Sequence, residues 1–209
     1  KNPHLSPFDE FEKWKYDVRK NDLFLDVGCW SGSTVLKMSK KCDAYGVDFN
    51  WKTLKLADKR IIDRLKYSDI TKGIAFGKKF DWVLCSEVVE HIEEDGKALK
   101  NIAKIMKNGG KLVLTTPRSV PFFEFWDPAW VRWKFGGKER HHHYTLEELE
   151  DKLSRYGLKI REISVRGNFK WIIKRWFNVI LKYLFRTNFQ VKNSWGNGFT
   201  DWMILAEKI

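Results

Sequence analysis

Leu23 to Thr34 reads LFLDVGCWSGST. Leu23–Val27 is apolar enough for a short buried strand, Gly28 and Gly32 fall in the turn behind it, and a helix is predicted from Ser33 to about Lys40. Strand, glycine turn and helix make the first half of a nucleotide-binding βα unit. The glycines let backbone amides approach a ligand and accept dihedrals that other residues resist. The helix N-terminus is expected to offer unpaired N–H groups to a carboxylate or phosphate.

Moving outward, a second strand over Asp43–Val47 ends on Asp48, twenty residues after Gly28. At that spacing a carboxylate accepts hydrogen bonds from both ribose hydroxyls of an adenosine. A dinucleotide fingerprint would place glycine at 28, 30 and 33, but Trp30 and Ser33 stand at the last two positions. The ligand therefore need not be a dinucleotide.

A third strand ends near Asp69-Ile70, and a fourth, Phe80–Cys85 (FDWVLC), runs into Ser86–Ile92 (SEVVEHI). A helix over Glu94–Lys107 carries Ala98, Leu99, Ile102, Ala103 and Met106 on one face. Asn108-Gly109-Gly110 is expected to cap that helix in the left-handed region, before a fifth strand over Lys111–Thr116 and Pro117. The string Asp26-Val27-Gly28-Cys29-Trp30-Ser31-Gly32 resembles the DxGxGxG-type motif of class I S-adenosylmethionine (SAM)-dependent methyltransferases, with Trp30 replacing the middle glycine. SEVVEHI resembles the EVLEHI-type motif after strand four of small-molecule methyltransferases such as the ubiquinone and menaquinone enzymes. With NGGKLVLTTP, the similarity runs from Leu23 to Pro117, almost half the chain.

The resemblance implies an α/β, Rossmann-like, seven-stranded sheet in the order 3-2-1-4-5-7-6, its last strand antiparallel, within one domain spanning 1–209. Leu158–Val165 and Thr200–Glu207 supply strands six and seven, and Thr145-Leu146-Glu147-Glu148 is a capping box opening the helix before strand six. It also implies SAM as cofactor and S-adenosylhomocysteine as product. The cofactor residues would be Asp26, Gly28, Trp30, Gly32, Asp48, Phe49, Asp69, Ile70, Ser86 and Glu87. Asp69 reads equally well as a solvated turn residue.

The 209 residues suffice for one domain with a proper core. Phe8, Phe11, Trp14 and Val18 recur at helical spacing and suggest an amphipathic helix over Phe8–Lys20. Cys29, Cys42 and Cys85 lack any CxxC and read as reduced core thiols of a cytoplasmic protein. No run approaches the roughly 18 apolar residues of a membrane span. The net charge of +12 suggests anionic partners, nucleic acid or a lipid surface.

Two segments, 118–143 and 166–199, exceed what a minimal domain needs, and long loops in compact domains are usually functional. Both should leave the carboxyl ends of strands and lie over the cofactor edge. The first is an aromatic lid with Trp126, Trp130 and Trp133. The second holds seven basic residues and no acid, with Trp171 and Trp176 among its large apolar side chains. Within 168–186, Lys170, Lys174, Asn178, Lys182 and Arg186 form a polar stripe. Three covers suit the apolar remainder: an anionic membrane met peripherally on its inner face, the protein's own domain, or a second subunit in a homodimer.

Methyl transfer from a sulfonium is an in-line displacement, so holding the acceptor close and excluding water matter most, and neither metal nor covalent intermediate is required. His91 is a candidate base, equally a helix-orienting or core residue, and Glu87 and Glu90 share that ambiguity. His141-His142-His143 is not read as a metal site, because adjacent residues on regular structure cannot all face one ion. Two of the three, taken as His142 and His143, are expected at the pocket mouth beside Tyr144. The favoured function is methylation of a hydrophobic small-molecule or lipid-like acceptor, quinone-like or otherwise. RNA methylation is the less favoured alternative, since a nucleic-acid patch has no use for Ile172, Ile173, Ile180 and Leu184. A catalytically silent SAM-binding module is the third reading.

Overall fold

The computed structural model describes residues 17–186 and 198–209. The helix expected over Phe8–Lys20 falls almost entirely outside them; Val18 is buried. Among the described residues the elements run β1 (Leu23–Val27), α1 (Ser33–Met38), β2 (Asp43–Asp48), α2 (Trp51–Leu54), β3 (Leu65–Tyr67), β4 (Phe80–Ser86), α3 (Asp95–Ile105), β5 (Met106–Pro117), α4 (Pro128–Lys134), α5 (Leu146–Ser154), β6 (Leu158–Arg166), α6 (Phe169–Tyr183) and β7 (Asp201–Lys208).

The seven strands form one sheet in the order β3-β2-β1-β4-β5-β7-β6. β1 to β5 pair in parallel, and β7 lies antiparallel between β5 and β6. Alternation along the central strands supplies both faces. Leu25, Val83, Cys85 and Leu114 pack toward α3 and α5, while Phe24, Trp82, Leu84 and Val113 pack toward α1. Central strands buried on two sides need apolar residues at successive positions, which is why LFL and WVLC are continuous runs.

Two boundaries differ from expectation. α3 ends at Ile105, and Met106 is already extended and paired with Phe80. Gly109 does take a left-handed φ of +74°, but within a bulge between the Met106 and Lys111 pairings, not as the helix cap. The helix begun at Trp51 closes after one turn, capped by Asn50, whose side chain accepts the N–H of Lys52.

The capping box at Thr145 is half made. Its hydroxyl accepts the Glu148 N–H, while the Glu148 carboxylate turns to His142 Nε2 at 3.1 Å. Both insertions leave carboxyl ends, of β5 at Pro117 and β6 at Arg166, so their side chains meet at the edge where such sheets bind ligands.

Candidate active site

The cofactor crevice begins where β1 stops. Gly28 and Gly32 have φ near +76° and +79°, and Trp30, with a φ of +52°, joins them in the left-handed region. Close packing demands the glycines as much as any ligand would. A Cβ on Gly28 would sit 2.4 Å from Val88 Cγ2, and one on Gly32 2.7 Å from Ile61 Cδ1. The Trp30 side chain is half exposed. Several loop amides expected to face a ligand have internal partners: those of Gly28 and Cys29 bond Val47 O, and that of Gly32 bonds Cys29 O.

Asp48 closes the crevice from β2. Its Oδ2 accepts the Trp30 N–H and its Oδ1 the Asn50 N–H, both at 2.8 Å. A carboxylate oxygen has two lone pairs, so each retains acceptor capacity for a ribose hydroxyl. Asp26 lies in the same buried corner, and burial, with Asp48 adding to it, pushes its carboxyl up to about 8. Phe49 is exposed beside this edge and Ile70 is buried in the core. Asp69 serves a turn: its Oδ1 accepts from Thr71 N and Oγ1, and Lys72 pairs with Oδ2. Asn101, which sequence reasoning passed over, ties the carbonyls of Ile70 and Thr71 to α3.

From β4 and β5 come Ser86, Glu87 and Thr115. The Thr115 hydroxyl is 2.7 Å from Ser86 Oγ and donates to Glu87 Oε1. Glu87 occupies the left-handed region at φ +54°, a strained setting of the kind that clusters at functional sites. Burial raises its carboxyl, and burial with the Glu87 charge raises Glu90 well above the usual range. Glu90 is 0% exposed and neither of its oxygens has a hydrogen-bond partner.

Above these groups the first insertion folds down as α4 and a short 3-10 turn, Glu124–Trp126. Asp127 caps α4 by accepting the Ala129 N–H on Oδ1, which also accepts from Arg175 of α6. Burial opposes ionisation of Asp127, yet Arg175 and the imidazole of His141 hold it well below the usual carboxylate range. Arg175 lies over the Trp171 ring at 4.6 Å, and Trp126, Trp171 and Ile172 form a small core that includes Trp176. Trp126 and Trp130 stack on His143, while Trp133 lies under Lys134.

The histidines divide differently from expectation. His141 and His143 are the buried pair facing Asp127, and His142 turns the other way, to Glu148. In extended chain, residues i and i+2 share a side and i+1 faces away. His91 is exposed and donates through Nδ1 to Arg140 O at 3.0 Å. The buried Tyr144 hydroxyl bonds Asp95 at 2.7 Å and Val89 O, tying the turn after β4 to the start of α3. Arg175 was hidden in an apolar run, one residue off the predicted polar stripe; its sequence signal was a cation where the helix should have been greasy. Asp127-Pro128 carried a visible cap signature, an N-cap acid before a first-turn proline.

A glycine crevice at the carboxyl edge of a sheet ordered 3-2-1-4-5-7-6, its last strand reversed, defines a methyltransferase-type fold. A model described as a methyltransferase domain matches residues 11–163, and the chain belongs to that family. An uncharacterized protein of Methanocaldococcus jannaschii is 34% identical over 106 residues, 48% of this chain and 43% of its own length. A demethylmenaquinone methyltransferase of Lactobacillus johnsonii is 28% identical over 109 residues, 47% of this chain and 45% of that one. The chain thus spans less than half the length of these curated relatives. A SAM-dependent methyltransferase from Methanosarcina mazei superposes with a TM-score of 0.67 at 17% identity, covering 98% of both chains.

Proposed function

We propose that the protein transfers a methyl group from SAM to a hydrophobic small-molecule or lipid-like acceptor met at an anionic membrane surface. The observation that carries this reading is the double face of α6. Trp171, Ile172 and Arg175 pack inward over the candidate site, while Phe169, Ile173, Phe177, Ile180 and Leu184 fall on one outward arc. Ile173 is 66% exposed, and Phe122 of the other insertion is fully exposed. Lys170 and Lys174 flank the arc, matching a lipid surface of negative charge. No helix among the described residues is long and apolar enough to cross a membrane, so contact would be peripheral.

In the proposed reaction the acceptor nucleophile forms a bond to the methyl carbon as the carbon–sulfur bond breaks, and the electron pair stays on sulfur as S-adenosylhomocysteine. The chain's residues align the partners and exclude water. Glu87 is the candidate to receive an acceptor proton: it is half-buried, desolvation raises its carboxyl above the ordinary range, and it is next to Val88, which packs on Gly28. Similarity to a demethylmenaquinone methyltransferase supports an apolar acceptor.

Incubation with isotopically labelled SAM and cell extracts, followed by mass spectrometry of the lipid and polar fractions, tests the reaction. Label in the lipid fraction is expected. Label only in RNA overturns the acceptor class, and SAM binding without label anywhere favours a silent module.

A further inference from the structure

We propose that Asp127, His141 and His143 form a binding site for a divalent first-row transition ion, with Zn2+ as its probe. Their donor atoms lie within 4.8 Å of one another and all three residues are buried. Asp127 Oδ2 is 3.2 Å from His143 Nε2, close to the separation of about 3.3 Å between ligands around a tetrahedral ion, and 2.6 Å from His141 Nε2, a ring that must draw back by about 0.7 Å to admit one.

Three features point to a ligand and not to a simple salt bridge. His141 is 5% exposed, and neither ring nitrogen makes a hydrogen bond, although Nε2 is aimed at Asp127. His143 Nδ1 bonds the Glu124 carboxylate, which fixes the N–H on that side and turns Nε2 toward Asp127. A carboxylate behind a histidine is the usual outer support of a metal-bound imidazole. Asp127 Oδ1 is committed to Ala129 N and Arg175, leaving Oδ2 to face the two rings.

Two imidazoles and one carboxylate leave coordination positions open, as catalytic metal sites do. A second group, Glu90, His91 and His141, shares one ring with the first, and the orphaned Glu90 carboxylate stands there as a further donor. His91 is exposed, which makes that group the weaker of the two.

The site stands apart from the methyl-transfer reading, since metal uptake is measured without SAM. The full chain, carrying no histidine tag, is stripped with chelator, loaded with Zn2+, desalted and analysed for metal. Co2+ titration is followed by its visible absorption, and thermal unfolding is recorded with and without Zn2+. About one Zn2+ per chain, d–d bands from Co2+ and a raised Tm are expected. His143→Ala and Asp127→Asn should remove the bound ion, Glu124→Gln should weaken it about 10- to 100-fold, and His142→Ala should leave it unchanged. Wild-type protein that retains no Zn2+ and gives no Co2+ bands overturns the proposal without reference to any variant. So does equal uptake by a folded His141→Ala/His143→Ala chain, or loss on His142→Ala alone.

Discussion

Asp48 Oδ2 accepts the backbone N–H of Trp30 at 2.8 Å, so the acid at the end of β2 fixes the loop that follows β1. One carboxylate thereby sets the shape of the crevice and remains available to a sugar. Hydrogen bonds to a charged group are worth about 1.5–3 kcal/mol. Asp48→Ala should therefore weaken S-adenosylhomocysteine binding by at least about tenfold in calorimetric titration. No loss of affinity would remove Asp48 from the cofactor site.

Asp26 gives a pH signature. Its carboxyl titrates near 8 when folded, against an ordinary value of 3.8. Between these pH values the folded chain holds a proton that the unfolded chain has released, so the contribution of Asp26 to stability falls as pH rises through the window. It levels off above about 8. Denaturant titrations from pH 4 to 9 should show that slope in the wild type, and Asp26→Asn should flatten it. Cationic SAM bound nearby favours the ionised acid, so binding near pH 7 should release protons, visible in calorimetry across buffers of different ionisation enthalpy.

Gly28 answers to Val88. A methyl at Gly28 would overlap Val88 Cγ2 and lock an unfavourable left-handed backbone. Overpacking costs about 1–3 kcal/mol. Gly28→Ala should lower stability by that order, and Gly28→Ala/Val88→Ala should restore the steric part while the backbone cost stays. If Val88→Ala gives no relief, the turn that follows β4 does not pack against the glycine loop.

Removing the charge of Arg175 leaves the buried Asp127 carboxylate with the Ala129 N–H and the rings of His141 and His143 as its partners. Breaking a buried pair by deleting one partner costs about 3–5 kcal/mol, because the other charge stays buried. Arg175→Met should unfold at correspondingly lower denaturant, and Asp127→Asn/Arg175→Met should recover much of the loss. Equal stability of Arg175→Met and wild type would mean that the two side chains are not paired in solution.

The outer arc of α6 separates membrane docking from packing. Ile173→Glu/Phe177→Glu should abolish co-sedimentation with vesicles rich in anionic lipid while leaving Tm within a few degrees. If wild-type protein ignores such vesicles and instead forms dimers that the same variant disrupts, the face belongs to a second copy of the chain.

The sequence by itself determined the strands and the glycine turn of the cofactor edge, while the strand order 3-2-1-4-5-7-6 came from resemblance to the methyltransferase family. Strand-length apolar runs, left-handed glycines and an acid at fixed spacing are local demands, and each is satisfied by a handful of neighbouring residues. Leu23–Thr34, Asp48 and the SEVVEHI stretch were legible for that reason. Only the tertiary structure decided which side chains share the space above that edge. Asp127 and His141 come from the first insertion and Arg175 from the second, and the three meet only after the two insertions have folded onto each other. Their burial and mutual charges exist only once that contact is made. The same holds for the histidine run, where extended backbone sends His141 and His143 inward and His142 out, a choice set by the pairing of residues 118 and 144. Periodicity reports what a segment wants from its neighbours, and long-range packing determines which neighbours it has.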